Sequence, residues 1–293
     1  MASSPLASPG ATRALLEAYG LATKHRLGQN FLVSNAVVER ICALAELPAD
    51  ARVLEVGPGI GTLTLALLAE ASHVVAVEAD RTLEPVLSAH AAAHPGLSFI
   101  MGDALRVTPE QVAEAAGGTP TVMVSNLPYN VAATIILRYL QEMPSLERLV
   151  VMVQAEVADR ICAEPGSRTY GAYTAKLALL ARVTGRFEVG PRNFMPPPHV
   201  DSAVVRLDRL SQKGTGEKWD IPAVSAVIDA AFAQRRKTIR NSMSASGFEK
   251  GALDAAFSAC GIAPTCRAET LSPADFVRLA DALAAGEIGR AHV

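Results

Sequence analysis

The sequence predicts a doubly wound α/β domain followed by a small all-helical domain. From Arg52 onward, short apolar runs rich in Val and Ile alternate with stretches of helical periodicity, which is typical of a parallel sheet buried on both faces. Beyond Lys218 the strand-like runs stop and only helical periodicity remains. A chain of 293 residues is long enough for two domains.

The predicted elements alternate in order along the α/β domain. Five apolar runs are predicted strands: 53–57, 73–80, 97–103, 121–126 and 148–154. Helical periodicity between them predicts four helices: 62–71, 83–93, 109–116 and 132–141. Two later runs, 186–190 and 202–208, flank Pro196–Pro198 and are expected to finish the sheet as an antiparallel edge. After a polar linker at 211–218, four more helices are predicted: 221–232, 238–246, 250–260 and 273–284.

Composition excludes several classes of protein. Half of the residues are apolar and 19% are charged, which excludes general disorder. The longest uncharged stretch, Ala115–Leu137, contains Ser125, Asn126 and Pro128, so no membrane span is predicted. The N-terminus lacks a basic region followed by an apolar core, so we expect no signal peptide and a cytoplasmic protein. The spacing of the cysteines favours neither a metal site nor disulfides; they are Cys42, Cys162, Cys260 and Cys266.

The net charge of −2 is unevenly distributed along the chain. Arg182–Arg240 contains 11 Lys/Arg and 6 Asp/Glu, a balance of +5, so the rest of the chain carries −7. A basic segment in an acidic chain indicates a local anion-binding face, with an ordinary solvated surface as the alternative.

Three glycines, Gly57, Gly59 and Gly61, follow the first predicted strand and open the next helix. Glycines at this position allow a tight turn and a close approach of the backbone to a ligand. Their G-x-G-x-G spacing, preceded by Glu55, differs from the G-x-G-x-x-G of dinucleotide-binding domains. We therefore predict a site for a nucleotide-type cofactor at this turn.

Acidic residues end the next two strands. Glu78 lies where a ribose would lie, and its carboxylate can accept hydrogen bonds from both ribose hydroxyls. Asp103 lies over the same crevice and suits an adenine amino group. With Gly57, these residues are candidate ligand-binding residues at three successive strand ends, which predicts one shared binding crevice.

The segment Ser125–Asn130, after the fourth strand, is the most specific signal in the chain. An adenine amino group is a poor nucleophile because its lone pair is delocalised into the ring. The side-chain oxygen of Asn126 and the backbone carbonyl of Leu127 or Pro128 can accept its two N–H bonds and aim the nitrogen at an activated methyl group. Tyr129 can stack on the base, and this chemistry requires no charged general base.

Together, E-V-G-P-G-I-G, V-E-A-D, G-D-A and S-N-L-P-Y resemble the motifs of class I S-adenosylmethionine-dependent methyltransferases that act on adenine. More narrowly, the chain is similar to the ribosomal RNA adenine dimethyltransferases. Lys24–Leu32 resembles the family's cofactor-covering segment, Asn193–Ser202 its second substrate motif, and Phe232–Ser242 the bacterial branch of its helical domain.

The resemblance covers Lys24–Asp281 and implies three parts of the chain. A Rossmann-like methyltransferase domain is expected at 24–210 and a helical, RNA-binding domain at 211–293. Residues 1–23 are expected to be an N-terminal extension. The first 20 or so residues match no motif and are compatible with disorder.

The resemblance also implies roles for individual residues. S-adenosylmethionine, with no metal, is expected to be bound by Asn30, Leu32, Gly57, Glu78, Asp103 and Asn126. Asn126 and Tyr129 are expected to orient the target adenine while Phe194 stacks on its other face, with core packing as the alternative for Phe194.

Four basic residues within the positively charged segment are predicted to bind RNA from a helix: Arg235, Arg236, Lys237 and Arg240. Arginine recognises phosphate groups bidentately, and the alternative is a solvated helix face. A base inside a duplex cannot reach a pocket of this kind, so the target adenosine must be unpaired or flipped out.

The implied function is dimethylation of two adjacent adenosines in the 16S rRNA of the small ribosomal subunit, late in subunit assembly, by a monomer. One alternative is a resistance-type dimethyltransferase of large-subunit rRNA, although Gln234–Asn241 resembles the small-subunit branch. A second is a non-enzymatic ribosome assembly factor, which the intact Asn126, Pro128 and Tyr129 disfavour. A third is a nicotinamide-dependent oxidoreductase, which the glycine spacing disfavours.

Overall fold

The computed structural model describes residues 2–21, 30–210 and 219–290. Residues Lys24–Gln29 of the expected cofactor-covering segment and the predicted linker at 211–218 lie outside these ranges. The chain forms two compact units. The first comprises Met1–Ala158 and Arg182–Arg209, and the second comprises Asp159–Ala181 and Leu210–Val293.

The described residues contain nine strands: β1 (Phe31–Leu32), β2 (Arg52–Val56), β3 (His73–Glu78), β4 (Leu97–Met101), β5 (Val122–Asn126), β6 (Arg148–Gln154), β7 (Ala181–Val189), β8 (Phe194–Met195) and β9 (Ser202–Arg209). Seven of them form one sheet in the order β4-β3-β2-β5-β6-β9-β7, and β1 pairs with β8 separately. Five strands run parallel to one another, whereas β9 runs antiparallel to β6, as the sequence predicts; the parallel strands are β4, β3, β2, β5 and β6.

The strand order reverses next to β2, and this reversal positions the site. The chain passes from β2 to β3 and β4 on one side, and then places β5 on the other side of β2. In an open α/β sheet, ligands bind in the crevice that such a reversal leaves at the carboxyl ends of the strands. The predicted doubly wound fold is therefore confirmed.

Helices cover the sheet of the first unit: α1 (Pro9–Ala18), α2 (Asn35–Ala45), α3 (Thr62–Leu67), α4 (Glu84–Ala93), α5 (Pro109–Ala115) and α6 (Ala132–Glu142). The sheet core is fully buried, with Val53, Val74, Val124 and Val150 at 0% exposure. Each buried valine stabilises the fold by about 1.5–3 kcal/mol relative to an exposed one. The sheet is thus a rigid base for the residues that follow its strands.

The N-terminal residues are ordered, which corrects the expectation of disorder. α1 begins after Ser8, whose Oγ accepts a hydrogen bond from the Ala11 N–H at 3.2 Å, and Pro9 occupies the first turn. Thr12 and Leu16 on one face of α1 are buried. The motifs that carry the sequence resemblance begin at Lys24, after this segment.

The second unit is helical. Beyond α7 (Ala155–Ile161), which begins in the first unit, it contains α8 (Ala172–Leu177), α9 (Ile221–Phe232), α10 (Ile239–Ala245), α11 (Lys250–Cys260) and α12 (Pro273–Arg290). Its core is built on Ile228, Leu253, Phe257 and Phe276, all at 0% exposure. The predicted helices at 221–232 and 250–260 are confirmed at both ends. Across the residues the structure describes, no helix is long and apolar enough to cross a membrane.

Candidate functional site

A cavity of about 250 Å³ lies in the first unit, at the carboxyl ends of the parallel strands. The structure brings together in its wall most of the predicted cofactor and adenine residues: Asn30, Leu32, Gly57, Glu78, Asp103, Asn126 and Tyr129. Residues from four neighbouring strands therefore face one space.

The glycine turn between β2 and α3 forms one wall of the cavity. Gly57 and Gly59 have φ angles of +71° and +60°, in the left-handed region that favours glycine. A Cβ atom on Gly59 would lie 3.1 Å from Cε1 of Phe31, and one on Gly57 would lie 3.4 Å from Cδ of Pro128. Both glycines are therefore needed for the backbone conformation of the turn, and Gly59 also for the close approach of Phe31.

Glu78 is fixed by two backbone hydrogen bonds at the end of β3. Its Oε2 accepts from the Gly59 N–H at 3.1 Å, and its Oε1 accepts from the Asp80 N–H at 2.8 Å. Burial raises the pKa of Glu78, and these hydrogen bonds oppose the increase. The carboxylate therefore connects the glycine turn to the end of the neighbouring strand.

Two further cavity residues, Glu55 and Thr62, are absent from the predicted site. Glu55 is 1% exposed and accepts a hydrogen bond from Thr64 Oγ1 at 2.6 Å. Thr62 Oγ1 is buried and has no hydrogen-bond partner in the described part of the chain. Their sequence signals are the acid before the three glycines and the hydroxyl residue directly after them.

Glu55 makes the stability of the ligand-free protein depend on pH. Burial, opposed by the hydrogen bond from Thr64, raises its pKa from 4.5 to about 8. Between these values the folded protein holds a proton that the unfolded chain has released, so the free energy of unfolding falls as pH rises through this window. We expect thermal denaturation to show a smaller loss of stability from about pH 5 to about pH 8, within this window, in Glu55→Gln than in wild type. The exposed control Glu84→Gln should retain the wild-type slope, and an unchanged slope in Glu55→Gln would contradict the assignment.

Asp103 follows β4 with its side chain 55% exposed. Its Oδ1 accepts a hydrogen bond from the Leu105 N–H at 2.9 Å, which orients the carboxyl group at the cavity. Helix α6 holds the loop after it, because Arg138 Nη1 and Tyr139 OH both donate to the Ala104 carbonyl, at 3.0 and 3.1 Å.

Asn126, the last residue of β5, is oriented through its amide nitrogen. Its Nδ2 donates to the Asn30 carbonyl at 3.4 Å. No donor among the described residues reaches its Oδ1, which leaves that oxygen as an acceptor at the cavity.

The two backbone carbonyls proposed as the second acceptor differ in their surroundings. The Pro128 carbonyl accepts from the Val131 N–H at 3.2 Å and so helps to form the turn into α6. The Leu127 N–H donates to the Met152 carbonyl at 3.1 Å, while no hydrogen bond reaches the Leu127 carbonyl within the described ranges. The geometry favours Leu127 as the second acceptor.

Tyr129 is half-buried in the cavity wall, and its ring is anchored at the hydroxyl end. Its OH lies 2.7 Å from Oγ of Ser202, the first residue of β9, which is 0% exposed. Burial raises the pKa of Tyr129, so its hydroxyl is neutral at physiological pH. Because the hydroxyl is held by Ser202, the face of the ring is the part that can contact a ligand.

Phe194 does not lie with the other predicted adenine-binding residues. It is 3% exposed, belongs to the main hydrophobic core and does not line the cavity. Its backbone pairs with Leu32 in the β1–β8 ladder, which connects the segment before the domain to the second substrate motif.

The predicted RNA-binding residues do not share one helix, which corrects the sequence interpretation. Helix α9 ends at Phe232, so Arg235–Lys237 lie in the turn before α10, and only Arg240 is helical. The buried Ser242 fixes this turn, because its Oγ donates to the Ala230 carbonyl and accepts from the Gln234 N–H.

The four basic residues also differ in their partners. Arg240 forms a two-point ion pair with Asp254, at 2.5 and 2.7 Å, and Arg235 contacts Glu269 and the Arg168 carbonyl. Arg236 and Lys237 are exposed and have no ion-pair partner in the described portion of the chain. These two are the cations most available to a polyanion in this turn.

The +5 balance of Arg182–Arg240 overstates the free positive charge. Arg206 pairs with Glu46 and Asp208, at 2.7 and 3.1 Å. Arg209 donates to backbone carbonyls, including that of Leu146. These guanidinium groups stabilise the first unit and do not contribute to an anion-binding face.

Comparison with known proteins supports the family suggested by the site. The sequence profile described as "Ribosomal RNA adenine dimethylase" matches residues 20–285. The protein named "Ribosomal RNA small subunit methyltransferase A" from Thermobifida fusca (strain YX) is 44% identical over 281 residues, which cover 94% of this chain and 96% of that protein.

Solved structures show the same fold. A dimethyladenosine transferase from Plasmodium falciparum superimposes with a TM-score of 0.73 at 22% identity, over 85% of this chain and 95% of that one. The 23S rRNA methyltransferase ErmE superimposes with a TM-score of 0.66 at 26% identity, over 87% of this chain and 100% of that one. With a profile that spans nearly its whole length and a cavity built from the expected strand ends, this chain belongs to the ribosomal RNA adenine dimethylase family of S-adenosylmethionine-dependent methyltransferases.

Proposed function

We propose that the protein dimethylates the amino groups of two adjacent adenosines in small-subunit ribosomal RNA. The observation that carries the proposal is that Gly57, Glu78 and Asp103 share one cavity with Asn126 and Tyr129. A nucleoside-containing methyl donor and a target base can therefore meet in a single space. The small-subunit name of the 44% identical relative supports this choice of substrate over the 23S rRNA named for the 26% identical structure.

The cavity fits S-adenosylmethionine. The backbone of Gly57 and Gly59 carries no side chain and forms a surface on which the donor can lie. The hydroxyl of Thr62, which has no partner among the described residues, can form a hydrogen bond with it. In the proposed arrangement Glu78 accepts from the ribose hydroxyls and Asp103 from the adenine amino group. The rest of the donor is enclosed by Gly57 and three other wall residues: Asn30, Leu32 and Asn126.

The chain's own residues orient the target amine. S-adenosylmethionine supplies an electrophilic methyl group when it is bound. The Asn126 Oδ1 and the Leu127 carbonyl accept the two N–H bonds of the adenine, so its nitrogen is held in line with that methyl group. Tyr129, held by Ser202, stacks on the base, and no carboxylate or imidazole is required as a base in the first step.

Phe194 is proposed to stack on the other face of the adenine. Because its ring is buried in the core, this role requires the ring to turn towards the cavity when RNA binds. In the ligand-free state it contributes to the packing of the β1–β8 pair.

The turn containing Arg236 and Lys237 is proposed to bind RNA phosphates, with Arg235 and Arg240 as further contacts. We expect Arg236→Ala/Lys237→Ala to weaken RNA binding and to reduce the slope of log K against log salt by about 0.7–0.9 for each lost phosphate contact. Arg240→Ala should change the slope less, because Asp254 already neutralises that guanidinium. Filter binding across a salt series measures both, and an unchanged slope in the double variant would exclude this turn as an RNA contact.

The proposal implies a monomer that acts in the cytoplasm, where small subunits are assembled. Its support is that the residues assigned to the methyl donor, together with Asn126 and Tyr129, line one cavity within the first unit, so the site needs no residue from a second copy. A target embedded in the particle must be unpaired or flipped out to enter the cavity, which suits an accessible loop during late assembly.

Transfer of labelled methyl groups from S-adenosylmethionine to unmodified small subunits, large subunits and free RNA tests the proposal. We expect label in small-subunit RNA, and none in large subunits. Label in large-subunit RNA would indicate a resistance-type enzyme. Tight binding to small subunits without any label would indicate an assembly factor, and binding of NAD in place of the methyl donor would indicate an oxidoreductase.

A further inference from the structure

The N-terminal segment, residues 2–19, precedes the part of the chain that matches the family profile, yet it is built into the first unit. The Ser4 N–H donates to Oδ1 of Asn35 at 2.9 Å, which fixes the segment to α2. Thr12, which is 0% exposed, donates from Oγ1 to the Leu6 carbonyl at 3.0 Å, which fixes α1 to the turn before it. The segment is therefore held as one structural piece.

Two leucines of this segment pack in a small separate core, whereas its Ala2 and Ala7 join the core of the sheet. Leu6 and Leu16, at 9% and 7% exposure, cluster with Phe31, Ile60 and Leu83. The opposite face of α1, which includes Arg13 and Glu17, is exposed. The buried face of the helix thus packs against residues around the glycine turn, because Ile60 lies within that turn.

Two members of this core, Phe31 and Leu83, also line the cavity. The Phe31 ring lies against Gly59, where an added Cβ would come within 3.1 Å of it. Gly59 in turn donates its backbone N–H to Glu78. A continuous set of contacts therefore leads from Leu16 through Phe31 to the glycine turn and to the acid proposed to hold the ribose.

The backbone of Phe31 is held separately from its ring. β1 pairs with β8, with Phe31 opposite Met195, and the Val33 N–H donates to the Asn193 carbonyl at 2.8 Å. The β1–β8 pair therefore sets where the Phe31 backbone lies, and the N-terminal segment packs on the side chain. Removing the segment's leucines is therefore expected to leave the strand pairing intact while freeing the ring.

We propose that the N-terminal segment positions Phe31 against the glycine turn and thereby sets the affinity of the cavity for the methyl donor. Leu6 and Leu16 are its positioning residues. This inference rests on the proposed function, because it takes the cavity to be the donor site. It assigns a role in binding the donor to a part of the chain that precedes the family profile.

Titration calorimetry with S-adenosylhomocysteine, the product form of the donor, tests the inference on the full chain. We expect Leu16→Ala to raise the dissociation constant about tenfold and Leu6→Ala to raise it in the same direction. Glu17→Ala, on the exposed face of the same helix, is the matched control and should bind as wild type does. Leu16→Met, which keeps the buried volume, should restore affinity.

Steady-state kinetics separates positioning from general stability. We expect Leu16→Ala to raise KM for S-adenosylmethionine, with kcat and KM for the RNA substrate unchanged, at a temperature where circular dichroism shows every variant folded. A lowered melting temperature with wild-type affinity would overturn the inference and leave α1 as a purely structural element. A wild-type protein that fails to bind S-adenosylhomocysteine would contradict the proposed function itself, and the inference with it.

Discussion

Replacement of Asn126 by alanine is expected to lower kcat for methyl transfer about 10²–10³-fold, the range measured when one hydrogen-bonding group is removed from a catalytic site. Alanine leaves the Leu127 carbonyl as the only acceptor for the adenine amine. The nitrogen lone pair is then no longer held in line with the methyl group. Single-turnover methylation of small subunits measures the chemical step directly.

Asn126→Asp is the matched control for this variant. Aspartate keeps an oxygen that can accept from the amine but loses the Nδ2 donor to the Asn30 carbonyl. We therefore expect Asn126→Asp to retain more activity than Asn126→Ala. If both variants lose activity equally, the amide donor is the important group and the acceptor role is wrong. If Asn126→Ala retains the wild-type rate, the proposed site of methyl transfer is wrong.

Glu78→Ala is expected to have the second large effect, a loss of affinity for the methyl donor of about 100-fold. The substitution removes the proposed ribose acceptor and also leaves the Gly59 and Asp80 N–H groups without their partner. A buried donor left unsatisfied costs about 1–3 kcal/mol, in addition to the lost contacts with the ligand. Calorimetry with S-adenosylhomocysteine measures the change.

Glu78→Gln distinguishes loss of the ribose contact from loss of the hydrogen bonds to the backbone. Glutamine keeps one oxygen acceptor, so it can satisfy one of the two backbone donors, but it has no negative charge. We expect an intermediate affinity. Glu84→Ala, an exposed acid at the start of α4, serves as the control and should bind normally. Wild-type affinity in Glu78→Ala would show that the ribose lies elsewhere.

The position of the site was predictable because it depends on strand ends. Gly57, Glu78, Asp103 and Asn126 each lie at or just after the end of an apolar strand, and the carboxyl ends of parallel strands meet at one edge of a sheet. Local sequence therefore indicated both the strands and the residues that share the cavity. The helices α9 and α11 were predictable for a similar reason, since their periodicity is strong and uninterrupted.

Features that depend on distant pairing were not predictable. Phe31–Leu32 and Phe194–Met195 form a ladder of two residues each, too short to give an alternating pattern. The burial of Phe194 follows from that pairing. The contact between Asn30 and Asn126 likewise depends on the folded chain.

The turn at Arg235–Lys237 shows a second limit of sequence patterns. The sequence interpretation placed all four basic residues on a helix, whereas a hydrogen bond from the Gln234 N–H to the Ser242 hydroxyl closes a turn at Arg235–Lys237. The ion pair of Arg240 with Asp254 is also invisible in a count of charges. Net charge along a segment therefore overestimated the surface available to RNA.

The most direct test of the account is the identity of the product nucleoside. Unmodified small subunits would be treated with the protein and S-adenosylmethionine carrying a deuterated methyl group, and their RNA digested and analysed by mass spectrometry. We expect adenosine carrying two deuterated methyl groups on its amino nitrogen, and far less of it with Asn126→Ala at the same reaction time. Label on a ribose, on another base or on another adenine atom would contradict the proposed geometry of Asn126, Leu127 and Tyr129.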